Sequence, residues 1–270
     1  MGIYTYFKHK YLFKFSFSFI WHSKENKFIK IEKIKSIPLN LLIGIDRQKK
    51  ILNNNTINFA KENVTNNALL WGSRGNGKST LIKSIFNELS DQFPNLRLIQ
   101  INKSDILEIK KIFTSLNQIK KLRFIIYIDD LSFESADSDY KSIKSVLEGS
   151  IQSQPSNTII YITSNRRHLM SKDMIDNERS SAIHTDESID EKISLSDRFG
   201  LWIGFHNISQ NEYIKIVKSY CNHYNIEINK NDLHQSIQWT LQRGNRNGRT
   251  AWQFILHLAA EKNLKINFYY

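Results

Sequence analysis

The segment that most constrains the fold is "GSRGNGKS", residues 72–79. It fits the pattern G-x-x-x-x-G-K-[ST], with an apolar run before it and an amphipathic helical pattern after it. A loop that surrounds phosphate needs consecutive N–H groups pointing inward, in backbone conformations that side chains resist and glycine tolerates. The helix that follows adds partial positive charge at its N-terminus. The segment therefore predicts a strand, a phosphate-binding loop and a helix in succession.

The loop also predicts how ATP and Mg²⁺ would be held. Lys78 would reach the β- and γ-phosphates, and the Ser79 hydroxyl would coordinate Mg²⁺. The predicted nucleotide-binding residues of the loop are Gly72, Ser73, Arg74, Gly75, Asn76, Gly77, Lys78, Ser79 and Thr80. The alternative is a glycine-rich turn that precedes Lys-Ser by chance, and the strand and helix patterns on either side disfavour it.

The rest of the chain predicts an α/β fold with a parallel sheet. Continuous apolar runs are typical of strands buried on both faces, and they occur at residues 68–72, 96–102, 124–130, 158–165 and 201–206. Helical patterns without strands follow at residues 211–224, 231–243 and 248–263. We predict an N-terminal extension with a β-strand over 1–40, a nucleotide-binding core over 41–207 and a helical lid over 208–270.

Polar residues at two strand ends extend the predicted site. Asp129 ends "FIIYID", where a carboxylate can hold magnesium opposite Ser79. Asp130 takes the place where many ATPases have a glutamate that polarises the attacking water, although it could instead cap the following turn. Asn165 ends "TIIYITSN" and would orient the same water, unless it is a turn residue. An extra strand between the phosphate-loop strand and the Asp129 strand is typical of additional-strand ATPases.

Two arginines are candidates for contacts with the transferred phosphate. Arg198 stands just before the last strand, where an arginine can reach the nucleotide site of a neighbouring subunit as an arginine finger. The alternative for Arg198 is an ion pair within its own chain, with Asp197 or another acidic residue. Arg249 begins the last helix and could contact the γ-phosphate from the lid. Arg246 is a second candidate for the γ-phosphate contact. Alternatively, both arginines belong to a solvated charge cluster at the end of the helix.

Charge and composition narrow the partners. The net charge of +12 favours polyanions such as nucleic acid, but dispersed charge is also typical of a solvated surface. A single cysteine, Cys221, excludes an internal disulfide and fits a reducing cytosol. The apolar stretch 11–21 is too short to span a bilayer, so we expect a cytoplasmic protein without a membrane partner.

The phenylalanines of the stretch 11–21 alternate with other residues. Phe13, Phe15, Phe17 and Phe19 predict a strand with one apolar face.

Taken together, these motifs resemble those of AAA+ ATPases. "LLIGIDRQKKIL", residues 41–52, resembles the AAA+ segment that precedes the phosphate loop and packs near adenine. "DDLSFE", "YKSIKSVLEGSI", "YITSNRRHLM", "EKISLSDRFGLW" and "GRTAWQF" are similar to segments of a bacterial AAA+ family described only as a domain of unknown function. The resemblance covers roughly residues 17–260 and implies an additional-strand P-loop ATPase core, a helical lid and a homo-oligomeric ring or partial ring.

The resemblance leaves the client open, and three functions compete. The first is an ATP-hydrolysing AAA+ switch or remodeller that acts on a protein client. The second is a nucleotide-gated DNA-binding adaptor similar to helicase loaders. The Asp129–Asp130 pair supports this second function, since it departs from the commoner Asp–Glu, is similar to the pair in initiators of the DnaA type, and implies slow hydrolysis. The third is a small-molecule or nucleotide kinase, which the helical tail and the placement of Arg198 disfavour.

Overall fold

A computed structural model describes residues 11–132, 143–145, 147, 154–167, 169 and 198–266. The strands of this part of the chain are β1 (Ser18–His22), β2 (Lys27–Ile31), β3 (Ala68–Gly72), β4 (Leu96–Ile101), β5 (Arg123–Ile128), β6 (Thr158–Ser164) and β7 (Leu201–Phe205). They form one sheet in the order β2-β1-β4-β5-β6-β3-β7. All neighbours pair in parallel except the hairpin of β1 and β2. The predicted parallel sheet and its five continuous apolar strands are confirmed.

The described helices are α1 (Asp46–Ala60), α2 (Lys78–Ser90), α3 (Ile109–Asn117), α4 (Gln210–His223), α5 (Lys230–Gln242) and α6 (Gly248–Glu261), with short 3-10 turns at Leu39–Leu41 and Lys103–Glu108. The three predicted helices of the tail are therefore confirmed. Apolar residues at helical spacing also predict a helix over residues 140–151, and the polar stretch 171–196 predicts an exposed insertion. Both lie outside the described residues, except for positions 143–145 and 147, which are helical.

The sheet has an apolar core on each of its faces. In β5, Ile125 and Tyr127 join a cluster that contains side chains of α1, α2 and the lid helices. Phe124, Ile126 and Ile128 alternate with them and join a second cluster with side chains of α3. All six residues of β5 are buried, which explains why the five that follow Arg123 form a continuous apolar run.

The additional strand that the sequence predicts is β6. It pairs in parallel with β3 on one side and with β5 on the other. Because parallel strands point the same way, the residues that follow β3, β5 and β6 meet at one edge of the sheet. The phosphate loop, the Asp129–Asp130 pair and Asn165 all follow these strand ends, so the topology brings them together.

The N-terminal residues differ from the sequence prediction. β1 begins only at Ser18, and residues 11–14 are helical, so an alternating strand pattern does not hold across the phenylalanines. Phe13 and Phe19 are buried, whereas Phe15 and Phe17 are 60% and 41% exposed. The prediction that all four share one apolar face is therefore wrong. β1 pairs with β4, so the extension lengthens the sheet of the core.

Local side-chain signals begin the lid helices. At α4, the Ser209 side chain accepts a hydrogen bond from the Glu212 N–H, and the Glu212 carboxylate accepts one from the Ser209 N–H. Asn229 and Asp232 form the same reciprocal pair at α5. These caps satisfy backbone donors from within the same few residues, so the tail helices were predictable from sequence. None of the described helices combines the length and the apolar composition that crossing a bilayer requires.

Candidate functional site

The phosphate loop joins β3 to α2 through three glycines with positive φ: 131° at Gly72, 80° at Gly75 and 88° at Gly77. Glycine adopts this region without the steric cost of a side chain. Gly72 has a further constraint, because a Cβ there would lie 2.0 Å from the Phe205 carbonyl oxygen on β7. Gly77 is the N-cap of α2, so the first turn of the helix, residues 78–80, has free N–H groups at the loop.

Lys78 reaches back across the loop. Its Nζ donates to the carbonyl oxygens of residues 72 and 73, at 2.7 and 2.9 Å, and to Asn165 Oδ1 at 3.2 Å. Burial lowers the pKa of Lys78 to about 8, although the carboxylates of Asp130 and Asp129 act in the opposite direction. The ammonium group is therefore incompletely compensated by its protein neighbours, and an added anion would favour its charged form.

Asp129 lies at the end of β5, facing the first turn of α2. Its Oδ1 accepts hydrogen bonds from Ser79 Oγ and Thr163 Oγ1, both at 2.6 Å. Burial acts to raise the pKa of Asp129, but the hydroxyls of Ser79, Thr163 and Tyr127 and the charge of Lys83 together hold the pKa below its usual value. An ionised carboxylate beside a serine hydroxyl is a hard oxygen donor set, which fits Mg²⁺ completed by phosphate oxygens and water.

Asp130 has a left-handed backbone, with φ of 51°. Its N–H donates to Thr163 Oγ1 at 2.9 Å, so one threonine holds both acidic residues. Its carboxylate accepts a hydrogen bond from Asn165 Nδ2 and lies 3.8 Å from a guanidinium nitrogen of Arg74. The Asp130 carboxylate thus faces the loop and Asn165 rather than only the turn that follows it.

A cavity of about 720 Å³ joins these groups to the lid. Its polar and glycine lining is Arg74, Gly75, Gly77, Lys78, Ser79, Thr80, Asp129, Asp130, Thr163, Asn165, Gly248, Arg249 and Gln253. Its apolar and aromatic lining is Ile37, Leu42, Tyr220 and Trp252. The first set suits a polyphosphate with its cation, and the second suits a flat heterocyclic base. Leu42 lies in the segment that the AAA+ resemblance places near adenine.

Three of the loop residues that were predicted to bind nucleotide do not line the 720 Å³ cavity. Ser73 and Asn76 line a neighbouring cavity of about 500 Å³ on the outer side of the loop, together with Arg246. Ser73 Oγ donates to Asn207 Oδ1 at 2.9 Å, and Asn76 Nδ2 donates to the carbonyl oxygen of residue 206 at 2.8 Å. These side chains anchor the loop from outside. Gly72 lines neither cavity and packs closely on β7.

The two lid arginines are separated by the fold. Arg249 lines the 720 Å³ cavity, whereas Arg246 lines the outer one. Arg198 is exposed and lies at the opposite edge of the sheet. In the pairing of β7 with β3, Leu201 stands beside Ala68, and the strand runs about 13 Å before it reaches the level of Gly72. Arg198 precedes Leu201, so it does not approach the cavity of its own chain.

Sequence reasoning missed part of this site. Thr163 holds both aspartates, and the period-2 spacing from Asn165 along β6 is a signal that would have found it. Tyr220 and Trp252 complete the cavity from α4 and α6. Both occur at ordinary apolar positions of amphipathic helices, so nothing local distinguishes them from core residues.

Comparisons with known proteins agree with this architecture. A family model described as "Protein of unknown function (DUF815)" matches residues 14–262. Domain III of the Thermotoga maritima replication initiation protein DnaA is 18% identical, with a TM-score of 0.51, over 81% of this chain and 87% of that chain. A structure titled DNA replication initiation factor is 16% identical, with a TM-score of 0.50, over 81% and 61% of the two chains.

These likenesses show the fold alone, which is the AAA+ P-loop fold with a C-terminal helical region. The Thermotoga maritima RuvB Holliday junction branch migration motor has a TM-score of 0.48 at 16% identity, over 86% of this chain and 74% of that chain. No curated protein matches the chain by sequence.

Proposed function

Because the chain belongs to the DUF815 family and has the AAA+ fold, we propose that it binds ATP with Mg²⁺ and hydrolyses it as a nucleotide-dependent switch or remodeller of a protein client. One observation carries the proposal. A single cavity contains the buried ammonium group of Lys78 and the carboxylate of Asp129. This carboxylate accepts a hydrogen bond from the hydroxyl of Ser79, in the first turn of α2. Opposite charges held around a glycine-rich helix N-terminus suit a metal-bound polyphosphate.

The residues have distinct roles in this proposal. Ser79 and Asp129 would hold Mg²⁺, which would supply positive charge to neutralise the phosphate oxygens. Lys78 binds the β- and γ-phosphates. Asn165 contacts both Lys78 Nζ and the Asp130 carboxylate, and it orients the attacking water. Asp130 accepts a hydrogen bond from that water. The carboxylate of aspartate reaches one methylene less far than that of glutamate, so we expect slow turnover.

The ammonium group gives the first test. Lys78→Met should weaken binding of ATP with Mg²⁺ at least about tenfold and abolish its hydrolysis, since it removes a charge-assisted contact to phosphate. Lys215→Met, on the exposed face of α4, is the matched lysine control and should leave both unchanged. Calorimetry and phosphate release measure the two quantities. Equal ATP binding by the Lys78 variant and the unmodified protein would refute the site, and phosphate transfer to a small acceptor instead of water would indicate a kinase.

Arg198 fits a site shared between subunits. It is exposed and lies at the sheet edge away from its own cavity, so we propose that it acts in the cavity of a neighbouring copy within a homo-oligomer. Arg198→Ala protein, inactive alone, should regain hydrolysis when mixed with Asp130→Asn protein, because mixed interfaces then contain one intact set of residues. No recovery at any mixing ratio would contradict the shared site.

Arg249 is the lid residue that we propose as the γ-phosphate contact, since it lines the same cavity as Lys78. Arg249→Ala should weaken ATP binding more than ADP binding, because the lost charge faces the terminal phosphate. Arg246→Ala is the matched control, since Arg246 lines only the outer cavity. An effect confined to the Arg246 variant would reverse the assignment.

A second candidate function is the nucleotide-gated nucleic-acid adaptor, and a specific surface favours it. Tyr11, Phe15 and Phe17, here called the aromatic surface, are 70%, 60% and 41% exposed. Lys14 Nζ lies 5.4 Å from the Phe15 ring centroid, and the Arg97 guanidinium lies 4.6 Å from that of Phe17. Exposed rings beside cations are the features on which single-stranded nucleic acids stack. The net charge of +12 adds attraction for the phosphate backbone.

The adaptor is tested by binding of single-stranded oligonucleotides at 50 mM salt, with and without ATP. Phe15→Ala should weaken binding by about 1–3 kcal/mol if a base stacks there. Leu241→Ala, which removes another exposed apolar side chain, is the control. Absence of binding in all these conditions would leave the switch or remodeller as the proposed function.

A further inference from the structure

The N-terminus of the lid helix α6 rests directly on the outer side of the phosphate loop. Asn247, the N-cap of α6, accepts the Thr250 N–H on Oδ1 at 2.8 Å, and its Nδ2 donates to the Arg74 carbonyl oxygen at 3.1 Å. The side chain is buried, and a Cβ on Gly75 would lie 2.6 Å from Asn247 Cγ. The Arg249 N–H donates to the Gly75 carbonyl oxygen at 3.3 Å.

These contacts fix the direction of two consecutive peptide groups. In a trans peptide the C=O and the N–H point in opposite directions, and no cis peptide occurs among the described residues. The carbonyls of Arg74 and Gly75 point to α6. The N–H groups of Gly75 and Asn76, which belong to the same two peptides, therefore point away from α6. Gly75 lines the cavity that also contains Lys78, and a phosphate held there needs backbone N–H donors.

We infer that Asn247 is a positioning residue for phosphate binding, through which the lid holds two peptide groups of the loop in their anion-binding orientation. The inference rests on the proposed function. It differs from a direct lid contact such as that of Arg249, because Asn247 faces the outer side of the loop and its effect requires no contact with nucleotide. When the lid moves away from the loop, these two peptides lose their outer partners, so lid position and affinity for the β-phosphate change together.

The test compares the same substitution at two helix caps of the lid. Asn247→Ser keeps a good N-cap acceptor and removes the amide that donates to the Arg74 carbonyl oxygen and, at 2.9 Å, to Asn245 Oδ1. Asn229→Ser makes the same change at the N-cap of α5, where the Asp232 N–H donates to Asn229 Oδ1 at 2.9 Å. Loss of the hydrogen bond to the phosphate loop should raise the Kd for ADP about five- to tenfold in the Asn247 variant and leave it within twofold in the Asn229 variant.

ADP is the probe because its binding does not depend on the residues proposed for hydrolysis. Melting temperatures without nucleotide should be similar for the two variants, and amide hydrogen exchange at Gly75 and Asn76 should accelerate only in the Asn247 variant. Equal ADP affinities and equal exchange in the two variants would overturn the inference and leave the proposed function intact. Failure of the unmodified protein to bind ADP would overturn both.

Discussion

The lowered pKa of Lys78 predicts that phosphate binding weakens with rising pH. Burial holds the pKa of Lys78 at about 8 in the protein without nucleotide, against the attraction of Asp130 and Asp129. A bound polyphosphate adds negative charge next to Nζ, so it raises this pKa and favours the ammonium form. Binding must therefore take up a proton wherever free Lys78 is neutral. The guanidinium groups of Arg249 and Arg74 also act on Lys78 and lower its pKa.

The magnitude follows from the titration of a single site. If only the ammonium form binds, the apparent Kd is multiplied by about 1.1 at pH 7 and by about 11 at pH 9, for a pKa of about 8. The affinity should thus fall about tenfold between pH 7 and pH 9, with uptake of about half a proton per ADP at pH 8. Phosphate groups are already ionised across this range, so they contribute little to the change.

The lowered pKa of Lys78 also affects the stability of the protein. With rising pH the free energy of unfolding should increase, whereas the affinity for ADP should fall. The unfolded lysine keeps its proton to its ordinary value of 10.5, whereas native Lys78 releases it above about 8. The unfolded state then binds more protons, so the free energy of unfolding without nucleotide should rise between pH 8 and pH 10.5, by at most about 3 kcal/mol.

Calorimetry of ADP binding in buffers of different ionisation enthalpy measures the proton uptake, and urea unfolding measures stability. Lys78→Met is the control in both experiments, since the difference from the unmodified protein isolates this one group. An ADP affinity that is the same at pH 7 and pH 9, together with no proton uptake at pH 8, would refute the reasoning from burial.

Three further predictions concern other parts of the structure. Gly72→Ala should lower the free energy of unfolding by more than about 3 kcal/mol, because the new Cβ would overlap the backbone of Phe205. Gly244→Ala is the control, since its Cβ would enter open space, and it should lower the free energy of unfolding by about 1 kcal/mol. Similar losses for the two variants in urea unfolding would contradict the close approach of Gly72 to Phe205. Asp130→Asn should bind ATP within about twofold of the unmodified protein but release phosphate at least about 100-fold more slowly, and unchanged turnover would exclude Asp130 from hydrolysis. Arg97→Met removes the 2.7 Å hydrogen bond to the carbonyl oxygen of residue 13, so amide exchange over residues 11–17 should accelerate, and unaltered exchange would show that this bond does not hold the segment.

Much of the fold could be predicted because its signals are local. A strand buried on both faces must be apolar at successive positions, and the apolar residues 124–128 of β5 are all buried. The N-cap residues Ser209 and Asn229 form hydrogen bonds with residues three positions further along the chain. The phosphate loop was recognisable because its positive φ angles favour glycine, so backbone geometry is written directly into the sequence.

Part of the site also followed from sequence, through topology. Asp129 and Asn165 were predicted to lie together because each ends a buried parallel strand, and Lys78 contacts the asparagine across 87 residues of chain. Parallel strands align their carboxyl ends at one edge, so a correct strand assignment brings these residues together.

Other features depend on contacts that no local pattern encodes. The alternating phenylalanines 13–19 predicted one apolar face, but the chain turns before β1 and exposes Phe15 and Phe17. Asn247 reads as an ordinary helix cap, yet its amide meets the Arg74 carbonyl 173 residues away. The sequence alone determined which segments form strands, helices and the phosphate loop, because their backbone and burial requirements are met within a few residues. Only the tertiary structure decided which side chains surround that loop, because the packing of the lid against the sheet sets those neighbours through space.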